Sequence, residues 1–171
     1  MDTENRKEWY DAAEKWEVDF VDKFGDRFGV IINPSKEKSK FAPDLYVLKK
    51  SISADLKVQS MPFFTSEKES DIPPQYCWTF NVCDLFDYSV RYGDKFGIFV
   101  WIKYDQELKD YGVTIPAEES VYFTYLFNLK DIITRSEKIH RYIRRVNDTN
   151  GNAYGSHMID LRKLIKIYPN S

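Results

Sequence analysis

The sequence predicts an α/β domain, with helices packed on a mixed β-sheet. Three observations lead to that class. Residues 4–24 place Trp9, Ala13, Trp16, Phe20, Val21 and Phe24 at three- and four-residue steps, the spacing of an amphipathic helix. Residues 42–59 read as two short runs of branched and aromatic residues around a polar turn, the pattern of a β-hairpin. Residues 96–104, Phe-Gly-Ile-Phe-Val-Trp-Ile-Lys-Tyr, form a strongly apolar run suited to a central strand.

Taken in order, the first helix stops at Gly25, and residues 27–32 form the first strand. Residues 33–40, Asn-Pro-Ser-Lys-Glu-Lys-Ser-Lys, are a polar, lysine-rich loop, either solvated or within reach of a phosphate backbone. The hairpin follows, turning near Lys49 and Lys50. After Gln59 comes a long, proline-containing loop, and long loops in compact domains are uncommon and often functional. Within it Phe63 and Phe64 either plug the core or stack on bases. Residues 76–81 alternate as a strand. Residues 82–92 have helical spacing and end at Gly93. After the 96–104 strand, residues 121–127 form another. Residues 129–145 are the second long helix, apolar at Ile132, Ile133, Ile139 and Ile143, and basic at Lys130, Arg135, Lys138, Arg141, Arg144 and Arg145. Residues 147–155 are a turn-rich loop, and residues 157–161 and 164–168 finish the chain as two short strands or as one strand and a tail. This order favours a mixed sheet over a doubly wound parallel fold.

A chain of 171 residues suits a single domain over residues 1–171. With 43% apolar and 16% aromatic residues it is expected to fold. No apolar run approaches the ~20 residues of a membrane span, and the polar, charged beginning is not a secretory leader. Cys77 and Cys83 lack metal spacing and read as reduced thiols, so a cytoplasmic location is expected. Charge is unevenly placed: residues 1–129 hold 16 Lys+Arg against 23 Asp+Glu, and residues 130–171 hold 9 against 4. A local basic face can bind a polyanion despite a net charge of −2. The seven glycines form no phosphate-binding loop, no Gly-x-Ser-x-Gly elbow is present, and His140 and His157 form no zinc motif.

The chemistry concentrates in the hairpin. Strand residues alternate faces, so Asp55, Lys57 and Gln59 share one face and Ala54, Leu56 and Val58 the other. A turn near Lys49 and Lys50 sets Asp44 opposite Asp55. Two neighbouring carboxylates repel, and an isolated buried charge is costly. A divalent cation removes the conflict. Mg²⁺ is bound through one or two carboxylates together with substrate phosphate and water, and a lysine beside it can orient water or stabilise charge on a phosphate.

Pro43-Asp44, ten intervening residues, then Asp55-Leu56-Lys57 resemble the motif of the PD-(D/E)xK nuclease superfamily. The order of elements over residues 8–105 is similar to that superfamily's core of a helix, a three-strand meander, a crossover helix and a further strand. The resemblance implies a restriction-endonuclease-like fold and Mg²⁺-dependent hydrolysis of DNA, with Mn²⁺ as a substitute. It implies that Asp44, Asp55 and the Leu56 carbonyl bind metal, that Lys57 handles the attacking water and that Gln59 orients lysine or water. It also implies a glutamate from the preceding helix at the metal: Glu17, with Glu14 as the alternative. Lys138, Arg141, Arg144 and Arg145 are the expected DNA contacts, with DNA as partner, no membrane, and a homodimer as one assembly the reading allows. Such an enzyme could serve restriction, repair, or phage or mobile-element biology. Two other readings stay open: a non-catalytic member of the fold that binds nucleic acid or a partner protein, and an unrelated domain with a chance motif.

Overall fold

A computed structural model describes residues 6–39, 41–136, 139–140 and 155–169. The chain is α/β. Its contacts divide it into two compact units, Met1–Leu56 and Lys57–Ser171.

The first unit is a helix followed by a three-strand meander. Helix α1 spans Arg6–Phe28, four residues beyond the end expected from sequence. Gly25 does not stop it. A Cβ at Gly25 would lie 3.1 Å from the Val30 carbonyl and 3.2 Å from the Val21 side chain, so this glycine lets the helix approach the strand that follows. The stop is Gly29, at φ +65°, a left-handed position that glycine adopts without penalty. Phe20 and Phe24 have ring centroids 5.3 Å apart, and Phe24 stacks on Phe28 at 5.4 Å. That ladder continues the helix over residues expected to begin a strand, and β1 is only Val30–Ile32. β2 (Leu45–Val47) pairs antiparallel with β1, and β3 (Ile52–Gln59) pairs antiparallel with β2. A 3-10 turn at Leu48–Lys50 and Ser51, at φ 52°, close the hairpin. Phe20, Phe24, Val30, Leu45, Val47, Ala54 and Leu56 are buried.

β3 runs on into the second unit from Lys57. The long loop after it carries a short helix, α2 (Ser66–Ser70). Phe64 packs against the main core of this unit, and Phe63 against Ile72, Cys77 and Met158. Both phenylalanines therefore take the core-filling alternative. β4 (Cys77–Asn81) leads into α3 (Val82–Arg91), whose N-cap is the Asn81 side chain accepting from the Cys83 amide at 2.9 Å. β5 (Gly97–Tyr104) is buried along its length apart from Lys103. A two-residue turn joins β6 (Leu108–Asp110) to β7 (Val113–Ile115), a hairpin absent from the sequence reading. β8 (Glu118–Tyr125) pairs antiparallel with β5 from Gly97↔Tyr125 to Tyr104↔Glu118.

α4 (Leu126–Ser136) begins three residues earlier than expected and ends nine residues earlier. Leu126, Leu129 and Ile133 are its buried stripe. The expected helix to Arg145 is corrected by β9 (Ile139–His140), which pairs with β10 (Ser156–Asp160). Gly155 makes this pairing possible: a Cβ there would meet the His140 carbonyl oxygen at 3.0 Å. β10 lies between β4 and β9, and β11 (Ile165–Tyr168) borders β8. Lys138, Arg141, Arg144 and Arg145, and most of the loop at 147–155, lie outside the described residues. Cys77 is buried and Cys83 exposed, both free. No helix among the described residues is long and apolar enough to cross a membrane.

The core of the second unit joins Trp78, Phe80, Ile98, Val100, Ile102, Tyr104, Leu126, Leu129 and Ile159. In the same unit His157 is buried, and its Nδ1 has no hydrogen-bond partner among the described residues. Burial holds its pKa below the usual 6.5. Between the folded value and 6.5 the unfolded chain takes up a proton that the folded chain refuses, so stability falls as pH falls through that window. Denaturation midpoints should decline from pH 7.5 to pH 5 for the wild type, and less steeply for His157→Phe. Equal declines in the two proteins would show that His157 does not set the slope.

Candidate functional site

The hairpin register is the one the sequence implies. Leu45 faces Ala54 and Val47 faces Ile52, so the residue preceding β2, Asp44, continues the ladder opposite Asp55. The Asn33 amide donates to the Asp44 carbonyl at 2.9 Å, which extends the β1–β2 pairing by one step. The Asp44 side chain then reaches across the hairpin. Its Oδ2 accepts from the Leu56 amide at 3.1 Å, and its Oδ1 accepts from Lys36 Nζ at 2.9 Å. Lys36 Nζ also donates to Glu17 Oε2 of α1. One ammonium thus joins a helix carboxylate to a hairpin carboxylate.

Glu17 is buried, whereas Glu14 is exposed. Of the two helix glutamates considered from sequence, Glu17 is the one whose carboxylate meets Asp44's partner. Asp55 is also buried. Leu56, expected to offer a carbonyl to metal, is tied to the site through its amide.

Lys36 was read from sequence as part of a solvated or phosphate-contacting loop, and its place at the carboxylates was missed. The signal that could have found it is the Asn-Pro dipeptide, a turn initiator. Asn33 caps a 3-10 turn at Pro34–Glu37, with Oδ1 accepting from the Ser35 amide at 3.0 Å and Nδ2 donating to Ser53 Oγ at 3.4 Å. Proline in the first turn fixes φ where no amide donor is needed. Lys36 therefore leaves the turn at a defined place. Burial opposes its charge, but hydrogen bonds to Glu17 and Asp44 outweigh burial and hold its pKa above the ordinary value. Side chains here are 19% exposed for Lys36, 9% for Glu17 and 20% for Asp44, so the cluster is sheltered but open to solvent at the lysine and the aspartate.

Lys57 and Gln59, the remaining residues of the expected motif, belong to the second unit. Lys57 Nζ pairs with Asp84 Oδ2 at 2.7 Å and lies over the rings of Tyr88 and Phe80, at 5.3 and 5.9 Å from their centroids. Asp84, which sequence reading passed over, sits in the first turn of α3, where a carboxylate is favoured by the helix dipole. Gln59 Nε2 donates to the Cys77 carbonyl and the Tyr104 hydroxyl, each at 3.0 Å, which anchors the end of β3 to β4 and β5. His140, expected in the basic helix, instead brings Nδ1 within 2.6 Å of Glu69 Oε2 and packs edge-on against Phe63.

The donors of the first unit are hard oxygens that already converge on a cation. Among the described residues no three His, Cys, Asp or Glu side chains form a metal-holding group. Mg²⁺ does not need such a cage, because one or two carboxylates with water and substrate phosphate suffice. Glu17 and Asp44 meet that requirement in chemistry.

Placement of Lys36 depends on the Asn33 cap, which is buried. Asn33→Ala leaves the Ser35 amide without its acceptor and should lower stability by about 1 kcal/mol, read as a shifted urea midpoint with unchanged slope. A change within error would mean that the turn holds its shape without the cap.

Comparison with protein-family models, with curated proteins and with solved structures returned no match.

Proposed function

We propose that the chain is a metal-dependent nuclease that hydrolyses phosphodiester bonds of DNA. The observation that carries this reading is the convergence of Glu17 and Asp44 on one cation, with Asp44 bonded to the amide at the centre of Asp55-Leu56-Lys57. The order of α1, the β1–β2–β3 meander, α3 and β5 supports a restriction-endonuclease-like fold. Glu17 and Asp44 are the residues that would hold Mg²⁺, and Asp55, opposite Asp44 in the hairpin, is the further carboxylate of the motif beside them. When bound, the ion supplies Lewis-acid polarisation of the phosphate and a more acidic water.

The chain's own residues supply positioning and charge. The Leu56 amide fixes which oxygen Asp44 presents. Burial of Glu17 shields its carboxylate from water and strengthens its attraction for a cation. Lys57 is two residues from Asp55 on one strand, and in this reading its ammonium orients the attacking water and stabilises charge on the phosphate. Asp84, Tyr88 and Phe80 hold that ammonium in place. DNA is the proposed partner.

A second reading, a non-catalytic member of the same fold that binds nucleic acid or a protein, is favoured by one observation. Lys36 satisfies both carboxylates without any metal.

Calorimetric titration with Mg²⁺ or Mn²⁺, beside plasmid and oligonucleotide cleavage, separates the two. Asp55→Asn should weaken metal binding and abolish cleavage. Lys57→Ala should bind metal normally and cleave ~10²–10³-fold more slowly, the usual loss on removing one transition-state partner. Wild-type protein that binds no divalent ion and cleaves neither DNA nor RNA would overturn the nuclease reading and favour the non-catalytic one.

A further inference from the structure

We infer that Lys36 is a built-in competitor for the metal site: its ammonium stands in for the cation between Glu17 and Asp44, and a divalent ion must displace it to bind. This inference rests on the metal-dependent reading above.

Three observations carry it. The first is which oxygens are taken. Asp44 Oδ2 is held by the Leu56 amide at 3.1 Å, so Oδ1 is the oxygen Asp44 can turn toward a cation, and that oxygen accepts from Lys36 at 2.9 Å. The same ammonium bonds to Glu17 Oε2. A metal ion bound through these same two oxygens would share both with an ammonium, and even an ion that takes the other Glu17 oxygen would share Asp44 Oδ1 with it; two cations at bonding distance from one oxygen repel strongly in a sheltered site.

The second is that the lysine is placed by construction. Asn33 caps the turn that presents Lys36, and the Asn33 amide donates to the carbonyl of Asp44 itself. The turn and the carboxylate are thereby fixed to the same step of the ladder. A lysine on a freely solvated loop would lose side-chain entropy on pairing and gain little.

The third is that release is easy. Pro34, Ser35, Glu37, Lys38 and Ser39 are all exposed. The Lys36 side chain is itself 19% exposed at the edge of the cluster, so it has solvent to turn into when it leaves the carboxylates. The stem has a path to solvent, and the carboxylates stay where α1 and the hairpin hold them.

Metal loading then exchanges a monovalent for a divalent charge at two carboxylates. Without metal, Lys36 leaves the trio with one net negative charge and permits Glu17 to be buried. With metal, the carboxylate charges are matched and the lysine is freed.

The test measures Mn²⁺ and Mg²⁺ affinity by calorimetry, and melting temperature with and without the ion, on the full chain. It compares wild type, Lys36→Met, Lys36→Gln, and Lys36→Met combined with Asp44→Asn. Gln offers a neutral amide donor on a side chain one atom shorter, so it should fold even where Met is poorly tolerated. Both single variants should melt lower than wild type without metal, bind the ion about tenfold more tightly, and gain more melting temperature on saturation. Tenfold corresponds to loss of part of one charge-assisted bond. The gain should vanish when Asp44→Asn is added. Binding by the variants alone, or folding of Lys36→Met only when Mn²⁺ is supplied, would also support competition. Wild-type protein that binds the ion, with Lys36→Gln binding it no more tightly, overturns the inference and leaves the metal-dependent reading standing. Absence of divalent binding in all four proteins overturns the metal-dependent reading itself.

Discussion

Asp44 is held three times over. Its carbonyl accepts from Asn33 in the β1–β2 ladder, one carboxylate oxygen accepts from the Leu56 amide of β3, and the other accepts from Lys36. Through Lys36 it reaches Glu17 on α1. Helix α1, the Pro34–Glu37 turn and the three-strand meander are therefore tied together through this residue. The arrangement depends on strand register, because a slip of one residue moves each side chain to the opposite face. Leu45 and Val47 are buried on β2 and Ala54 on β3, so the same register that buries the core places Asp44 opposite Asp55.

Glu17 shows what the lysine contributes to the fold. A carboxylate facing the inside of a helix-on-sheet layer loses most of its hydration, and without a partner such a group is strongly unfavourable. A salt bridge does not guarantee net stability, since desolvation of both ions offsets their attraction. Removal of one partner is worse than either, because it strands the other charge. An apolar residue at position 17 would fit the buried stripe of Phe20 and Phe24 more cheaply. The glutamate there, with a lysine aimed at it from a capped turn, is thus a paired charge set into an otherwise apolar stripe.

The parts of the fold legible in the sequence are those with a regular period. The Asp44–Asp55 register followed from period-two alternation and a short turn, and α3 followed from its three- and four-residue spacing. What was missed lay where local signals conflict. Gly25 reads as a helix stop, yet it is a close-approach glycine, and only the position of Val30 reveals that. Ile139 continues the apolar spacing of α4, but pairing with β10 claims it for a strand, a tertiary contact that no local pattern encodes. The β6–β7 hairpin turns at Tyr111 and Gly112 with φ of 47° and 77°, the two positive values of a type I′ turn. Tyrosine is an unusual residue for the first of these, and its amide bond to Asp110 Oδ1 at 2.9 Å helps to hold it there. Lys36 was hidden for a related reason: Asn33-Pro34 marks a turn, but in a lysine-rich loop nothing local marks which lysine the turn pins.

The two lysines of the proposed chemistry are held in contrasting ways, and the contrast bears on what each can do. Lys36 is shared by two carboxylates on a turn with an open path to solvent. Lys57 is paired with one carboxylate, Asp84, and flanked by the rings of Phe80 and Tyr88. Carboxylate and ring faces all attract positive charge, and the ring contacts fix direction as well, since the stem of the lysine must pass beside them. A side chain held so suits a fixed point charge for a phosphate, which a lysine supplies as a compact ammonium. Asp84 must then yield when an anion approaches, because a lysine fully committed to one carboxylate has less charge to offer another. Asp84 is about one-third exposed, so water can hydrate its carboxylate as it gives up its hold on the lysine. The chemistry proposed for Lys57 therefore depends on a residue of α3 that the short motif does not contain.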